Sequence, residues 1–199
     1  MTGPRRNLII FAKAPRYGAV KSRLAAGIGE AAALRFYRAT TDGLIRRVAR
    51  DPRWRSTIWV TPDGYAGQSR FWPRDIPRRA QGGSDLGARM LRALAASGPG
   101  PALLIGSDIP GIRADHLAEA FALLGRNEVV FGPAEDGGFW LVGLRRPDRH
   151  PGLFQGVRWS TGHALADCLA NIAPGTKVGR AAMLADVDDA AGYARMREG

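Results

Sequence analysis

Cysteine is nearly absent: Cys168 is the single one in 199 residues, so no intrachain disulfide can form. That excludes the small secreted scaffolds stapled by several bridges. Long apolar runs are missing as well. None approaches the ~20 residues of a membrane span. The first run, Leu8 to Ala12, is too short for a secretory signal core and gives way at once to Lys13. These absences predict a cytoplasmic protein with no membrane partner. Histidine is scarce and scattered, at His116, His150 and His163. No Ser-His-Asp or Cys-His set and no zinc-ligand spacing can be assembled. Cys168 occupies an apolar position of a predicted helix and reads as a small core residue.

Acidic residues are outnumbered, and the net charge is +11. Lysine contributes little to it, only Lys13, Lys21 and Lys177; the rest is arginine spread along the chain. With no aromatic stacking motif and no basic block, nucleic acid is not the expected partner, whereas small polyanions such as nucleotides suit the charge. Hydrophobic residues make up 45% of the chain, enough for a substantial core in one domain spanning residues 1–199.

Short apolar runs alternate with helical patterns. Leu8–Ala12, Ser56–Thr61, Ala102–Gly106, Glu128–Gly132 and Phe139–Leu144 read as strands, with a brief strand into Gln81 and a last one over 178–187. Between them lie a helix over 30–50, one capped by Ser84 or Asp85, one from Ala114, one over 161–173 and a final one. The stretch 13–24 reads as a loop. The apolar residues of 62–84 suit either a homodimer contact or a cover over an acceptor pocket. This alternation predicts an α/β fold with helices on both faces of a mainly parallel sheet. Ligands then bind beyond the carboxyl ends of the strands.

The residues at those ends carry the chemistry. After the first strand come Lys13, Lys21 and Arg23, cations on a loop shaped by Pro15 and Gly18, although neither the P-loop pattern nor G-x-G-x-x-G is present. After the strand "ALLIG" comes Asp108, whose charge beside a buried strand needs a partner and suits a divalent metal. Asp186, Asp188 and Asp189 end the last strand, where alternation places Asp186 and Asp188 on one side. The stretch "VVFGPAEDGGFWLVGL" sets Glu135 and Asp136, then Gly137 and Gly138, between two strands. So short a link predicts an antiparallel pair, and the glycines predict positive φ or a close approach.

Together "FAKAPRYGAVKSRL", "QGGSDLGARM", "LLIGSDIPGI", "VVFGPAEDGGFWLVGL" and "GVRWST" resemble the bacterial DUF2064 family over about residues 7–161. That family is related to the nucleotide-diphospho-sugar transferases of the GT-A fold, and a glycosyltransferase role in arsenosugar biosynthesis is attached to it. A more distant similarity reaches 2-phospholactate guanylyltransferase and molybdenum cofactor guanylyltransferase, whose D-V-D-T-P-E-D-L is here "DVDDAAGY". The resemblance implies a three-layer α/β/α GT-A domain, Rossmann-like, with Mg²⁺ or Mn²⁺. It implies a nucleotide site at Ala12, Lys13, Ala14, Lys21 and Arg23, with Gln81, Gly82 and Gly83 against the base. It implies metal ligation by Asp108 and Asp188, and an acceptor site at Glu135, Asp136, Gly137, Gly138, Trp159 and Thr161. Lys21, Asp108 and Asp136 would be the catalytic group.

Two transfers are open. In the first, favoured by the basic loop and by "SDI" in place of a D-x-D motif, an NMP moves from an NTP to a small phosphorylated or acidic acceptor and pyrophosphate leaves. In the second, an NDP-sugar donates a glycosyl group to a hydroxyl deprotonated by Glu135 or Asp136. A non-enzymatic nucleotide- or nucleic-acid-binding protein is the third reading, resting on the net charge.

Overall fold

A computed structural model describes residues 5–68 and 70–198. Among them, seven strands form one sheet: β1 (Asn7–Lys13), β2 (Arg55–Thr61), β3 (Arg78–Ala80), β4 (Ala102–Gly106), β5 (Val129–Pro133), β6 (Phe139–Leu144) and β7 (Val178–Arg180). Their order is β3-β2-β1-β4-β6-β5-β7. Neighbours run parallel except at β6, which is antiparallel to both β4 and β5.

β4 and β6 are apolar on every residue, and β1 over Leu8–Ala12, because both faces are covered. Leu8, Ile10 and Ala12 of β1 point into one core, filled by α2 (Glu30–Val48) and α4 (Ala114–Leu123). Ile9 and Phe11 point into the other, filled by α3 (Leu86–Ala95) and α5 (Ala164–Ala170). The result is a three-layer α/β/α sandwich. Asp85 caps α3, accepting from the Ala88 backbone N–H at 3.0 Å. Two further helices, α1 (Ser22–Ile28) and α6 (Ala190–Glu198), touch each other near the N-terminal half of α2. A Cβ on Gly27 of α1 would come 2.6 Å from the Ala190 Cβ of α6. The Phe36 ring of α2 meets the Tyr193 ring of α6 edge-on at 5.3 Å.

Several boundaries differ from the sequence reading, each for a physical reason. The loop expected over 13–24 yields α1 from Ser22 onward, a helix that buries only Leu24 and so lacks a readable stripe. The last strand stops at Arg180 instead of reaching 187; a single bridge, Ala134 to Leu184, continues the pairing, and Met183 turns out to solvent. Asp186 and Asp188 therefore do not lie on a strand, although their carboxyls do meet, as expected of residues on one side. The helix expected over 161–173 is shortened to α5, because Thr161 and Gly162 form a loop against Gly137. Trp72 and Ile76 of 62–84 are buried, with Tyr65 and Phe71 packed on the same core. Trp72 and Ile76 thus serve the protein's own interior, while Tyr65 and Phe71 keep part of their surface outward. Among the described residues, no helix is long and apolar enough to cross a membrane.

Cys168 is fully buried on α5. Burial, and then the neighbouring Asp167 charge, push its thiol up to about 12. Iodoacetamide at pH 8 is expected to modify the folded protein at least about a hundredfold more slowly than the guanidinium-unfolded chain. Equal rates would show that α5 opens freely.

Candidate active site

The carboxyl ends of the parallel strands and the short β5–β6 turn meet at one edge of the sheet. There β1 and β4 are pinned to α2 by hydroxyls. The Tyr37 Oη accepts from the Lys13 N–H at 2.9 Å, donates to the Lys13 carbonyl at 2.8 Å and lies 3.2 Å from the Ser107 Oγ. The Thr41 hydroxyl donates to the Ser107 carbonyl at 3.2 Å, and Arg47 donates to the carbonyls of Pro110 and Ile112. This clamp fixes the exit of β4 and hence Asp108. In the sequence, Tyr37 and Thr41 read only as members of an apolar stripe. Their signal was two hydroxyls one helical turn apart on a buried face.

Lys21 is the centre of the charge arrangement. It stands just before α1 with φ 48°, in the left-handed region rarely used by a side chain of its size. Its ammonium lies 2.9 Å from Asp108 Oδ2 and 2.6 Å from Asp188 Oδ1, with its side chain only 4% exposed. Burial alone would lower its pKa, but the two carboxylates outweigh burial and raise it. Asp188 is half-buried, which would raise its carboxyl, yet Lys21 and then Arg23 keep it below the ordinary range. Arg23 is 3.9 Å away and mostly exposed. Asp186 feels the same Lys21 charge too weakly to offset its surroundings. Burial and then the Asp188 charge push its carboxyl up to about 6. The contact of α1 with α6 brings these groups together, since Lys21 precedes one helix and Asp188 the other. Asp189 makes the α6 turn, accepting from the Gly192 N–H at 2.7 Å, so this helix forms without the T-P-E sequence of the distant relatives.

Beside this cluster lies a cavity of about 240 Å³, lined by Asp108, Asp136, Asp186, Trp159, Thr161 and apolar residues that include Phe139. Asp136 accepts from the Gly138 N–H at 2.9 Å. The segment carrying Asp186 is held from below. The Trp140 indole donates to the Ala182 carbonyl at 2.9 Å, and the Leu184 N–H donates to the Pro133 carbonyl at 3.1 Å. Trp140 is the extra residue of a β-bulge: Gly132 pairs with Leu141 and Pro133 with Phe139. Its ring passes over Gly132, where a Cβ would be 2.5 Å away. The bulge thus re-aims an indole to support the acidic segment.

Not every expected residue faces this place. Glu135 is exposed and does not line the cavity. Gly137 meets protein, with φ +83° and its Cα position against the Gly162 backbone. Gly138 and Thr161 do line the cavity, and the Thr161 hydroxyl donates to the Arg158 carbonyl. Ala12 and Ala14 are buried and contribute backbone only, while the Lys13 side chain is exposed. Gln81 is committed inside: its amide donates to the carbonyls of Trp59 and Ala12 and accepts from Arg89 at 2.9 Å. Arg92 braces the Gln81 and Gly83 carbonyls, and Gly82 donates to Asp63. What this stretch presents outward is the exposed backbone of Gly83, not the glutamine amide.

No curated protein matches the chain. Among solved structures it is similar to a candidate nucleotide-diphospho-sugar transferase of Desulfovibrio desulfuricans G20, with TM-score 0.84 and 25% identity over 97% of this chain and 94% of that one. It is also similar in fold to 4-diphosphocytidyl-2C-methyl-D-erythritol synthase of Anaerococcus prevotii (TM-score 0.60, 9% identity, 97% and 96% covered). A third likeness is to glucosyl-3-phosphoglycerate synthase of Mycobacterium tuberculosis, solved with Mn²⁺, UDP and product (TM-score 0.61, 10% identity, 92% and 71% covered). The architecture is the GT-A type of these transferases. Residues 44–161 match the family described as an uncharacterized protein conserved in bacteria, a match that begins after the Lys13–Arg23 loop, and by it the chain belongs to the DUF2064 family.

Proposed function

We propose that this protein is a divalent-metal-dependent transferase that uses a nucleotide donor, and that the donor is an NDP-sugar whose glycosyl group passes to an uncharged hydroxyl. The observation that carries this reading is the charge pattern of the edge. Of the three first-loop cations, Lys21 is engaged by Asp108 and Asp188, leaving Lys13 and Arg23 outward. Two outward cations suit a diphosphate better than a triphosphate. The cavity has three carboxylates and, among its lining residues, no lysine or arginine. A phosphorylated or acidic acceptor would meet like charge there, at unfavourable cost.

Two carboxylates of the kind Mg²⁺ or Mn²⁺ takes face each other here, and water and substrate phosphates would have to complete the shell, since among the described residues no three His, Cys, Asp or Glu side chains are grouped to hold a metal. Asp108 and Asp188 supply hard carboxylate oxygens around the position that the Lys21 ammonium takes, and Asp186 adds a half-buried carboxyl beside them. A metal held by Asp108 and Asp188 would offset charge developing on the leaving diphosphate. Lys13 and Arg23 bind the same phosphates from the solvent side. Asp136 receives the acceptor proton as the hydroxyl oxygen bonds to the anomeric carbon and the bond to the diphosphate breaks. Trp159 and Phe139 form the apolar wall that orients the acceptor and excludes water. The likeness to sugar-transferring and nucleotidyl-transferring enzymes supports the nucleotide donor without choosing between them.

The test is thermal stabilisation by UDP-, GDP- and dTDP-sugars and by the four NTPs, each with Mg²⁺, Mn²⁺ or EDTA. A ligand at a hundred times its Kd adds about 2.7 kcal/mol, or roughly 5–10 °C for a chain of this size. Metal-dependent stabilisation by one NDP-sugar is the expected result. Stabilisation by an NTP alone would move the assignment to nucleotidyl transfer, and none by either would overturn both.

A further inference from the structure

We propose that the protein has a second anion site, at the opposite edge of the sheet from the catalytic cluster, that takes an oligophosphate chain. A cavity of about 940 Å³ lies there, large enough for a nucleotide-sized ligand. Arg5, Arg6, Arg53, Arg145 and Arg146 line it, against one lining carboxylate, Asp148. The grooves elsewhere on the surface have at most three arginines to one acid. The seven residues of β1 separate Arg6 from the Lys13 end by about 20 Å, so the two sites cannot share a ligand of this size.

The arginines here are not equivalent. Arg53 is neutralised by Asp51 at 2.7 Å, with Asp115 at 3.9 Å, and Arg145 has Glu128 at 3.5 Å. Arg5, Arg6 and Arg146 have no carboxylate within ion-pair distance among the described residues. The Arg6 guanidinium carbon lies 5.5 Å from the Phe121 ring centre, a cation–π contact that restrains it at the cavity wall. A guanidinium so placed is suited to phosphate oxygens, because its planar donors match them in pairs.

The backbone around the cavity is built, not loose. The buried Asn7 amide donates to the carbonyls of Arg5 and Pro99, both at 3.3 Å. Gly100, at φ +104°, presses on the Arg5 carbonyl so closely that a Cβ would come within 2.2 Å of its oxygen. The Arg6 carbonyl accepts from the Arg55 N–H at 2.9 Å as β1 and β2 begin. Arg5 and Arg6 are thereby fixed beside the 98–101 loop, so a ligand need not order that backbone on binding.

The probe is tripolyphosphate, titrated calorimetrically in EDTA so that no metal assists the catalytic edge. Two variants with the same loss of charge separate the two edges: R5Q/R146Q here and K13Q/R23Q there. The altered side chains are exposed, so both variants are expected to fold, with R146Q alone as the fallback. The expected result is one-to-one binding by the wild type, weakened at least about tenfold in R5Q/R146Q and within about twofold of wild type in K13Q/R23Q. ATP, carrying the same chain, is expected to displace tripolyphosphate in EDTA. Absence of binding, equal weakening in both variants, weakening in K13Q/R23Q alone, or failure of ATP to compete would overturn the proposal. The arginines would then only complement the carbonyl end of α4.

Discussion

Asp108→Asn removes one of the two carboxylates that hold Lys21 and is expected to abolish metal-dependent stabilisation by the donor. Asparagine keeps the shape and loses the charge, so the clamp of Tyr37 and Thr41 on Ser107 should persist. Turnover should fall by about 10²–10³, the usual scale for losing a group that supports charge developing in the transition state. The direction separates an enzyme from a simple anion binder. A protein that only binds nucleotides would keep or gain affinity on losing a negative charge, as measured by calorimetry without metal. Unchanged metal-dependent binding in Asp108→Asn would remove Asp108 from the metal site.

Gly137→Ala is expected to be the most destabilising single-methyl change at this edge. The residue has φ +83°, and a Cβ there would lie 2.3 Å from the Gly162 carbonyl oxygen and 2.8 Å from its Cα. Neither atom belongs to a flexible side chain. The Gly137 carbonyl also accepts from the Leu165 N–H at 3.2 Å, so moving the turn away would break the entry to α5. Backbone strain and overpacking together should cost about 3 kcal/mol, or roughly 6–12 °C in Tm. Gly138→Ala is the control. The three atoms nearest its Cβ would all belong to the Asp136 carboxylate, the first at 3.0 Å, and its φ is not in the left-handed region. Tm should fall by no more than about 2 °C, with the larger effect on turnover, because Asp136 must shift. Comparable losses of Tm in both variants would show that the 137–162 contact is not tight.

Those two glycines show what could be read from the chain. The sequence "AEDGGF" signalled a tight turn delivering acids to the active edge, and β5 and β6 do pair antiparallel through it. The reason for Gly137 was not readable, because the group pressing on it, Gly162, lies on a loop that only tertiary structure brings near. β4 and β6 coincide with their expected bounds because short, wholly apolar runs between polar breaks have few other places to go. The final strand overran because its apolar pattern persists to Val187 after the hydrogen bonding has ended. The resemblance put Gln81 against a base; its amide is consumed by two carbonyls and Arg89, contacts that its place in the sequence does not reveal. The pairing of Lys21 with Asp188 was out of reach for the same reason. Nothing local shows that α1 and α6 touch.

That last contact has a consequence for how the protein matures. Lys21 and Asp188 are 167 residues apart, whereas the turn that positions Asp136 joins neighbouring strands. Chain-closure entropy grows slowly with loop length, so the long link is affordable in the finished fold. In kinetic terms, however, contacts so distant in sequence form late. The pair closes only once the two ends of the chain have met, so Lys21 and Asp188 depend on the whole fold for their contact. Local fraying of α6 in the native state would carry Asp188 away and leave Lys21 with Asp108 as its remaining ion-pair partner. Hydrogen exchange at the first turns of α1 and α6 should therefore rise and fall together, and with it the capacity of the edge to handle a nucleotide.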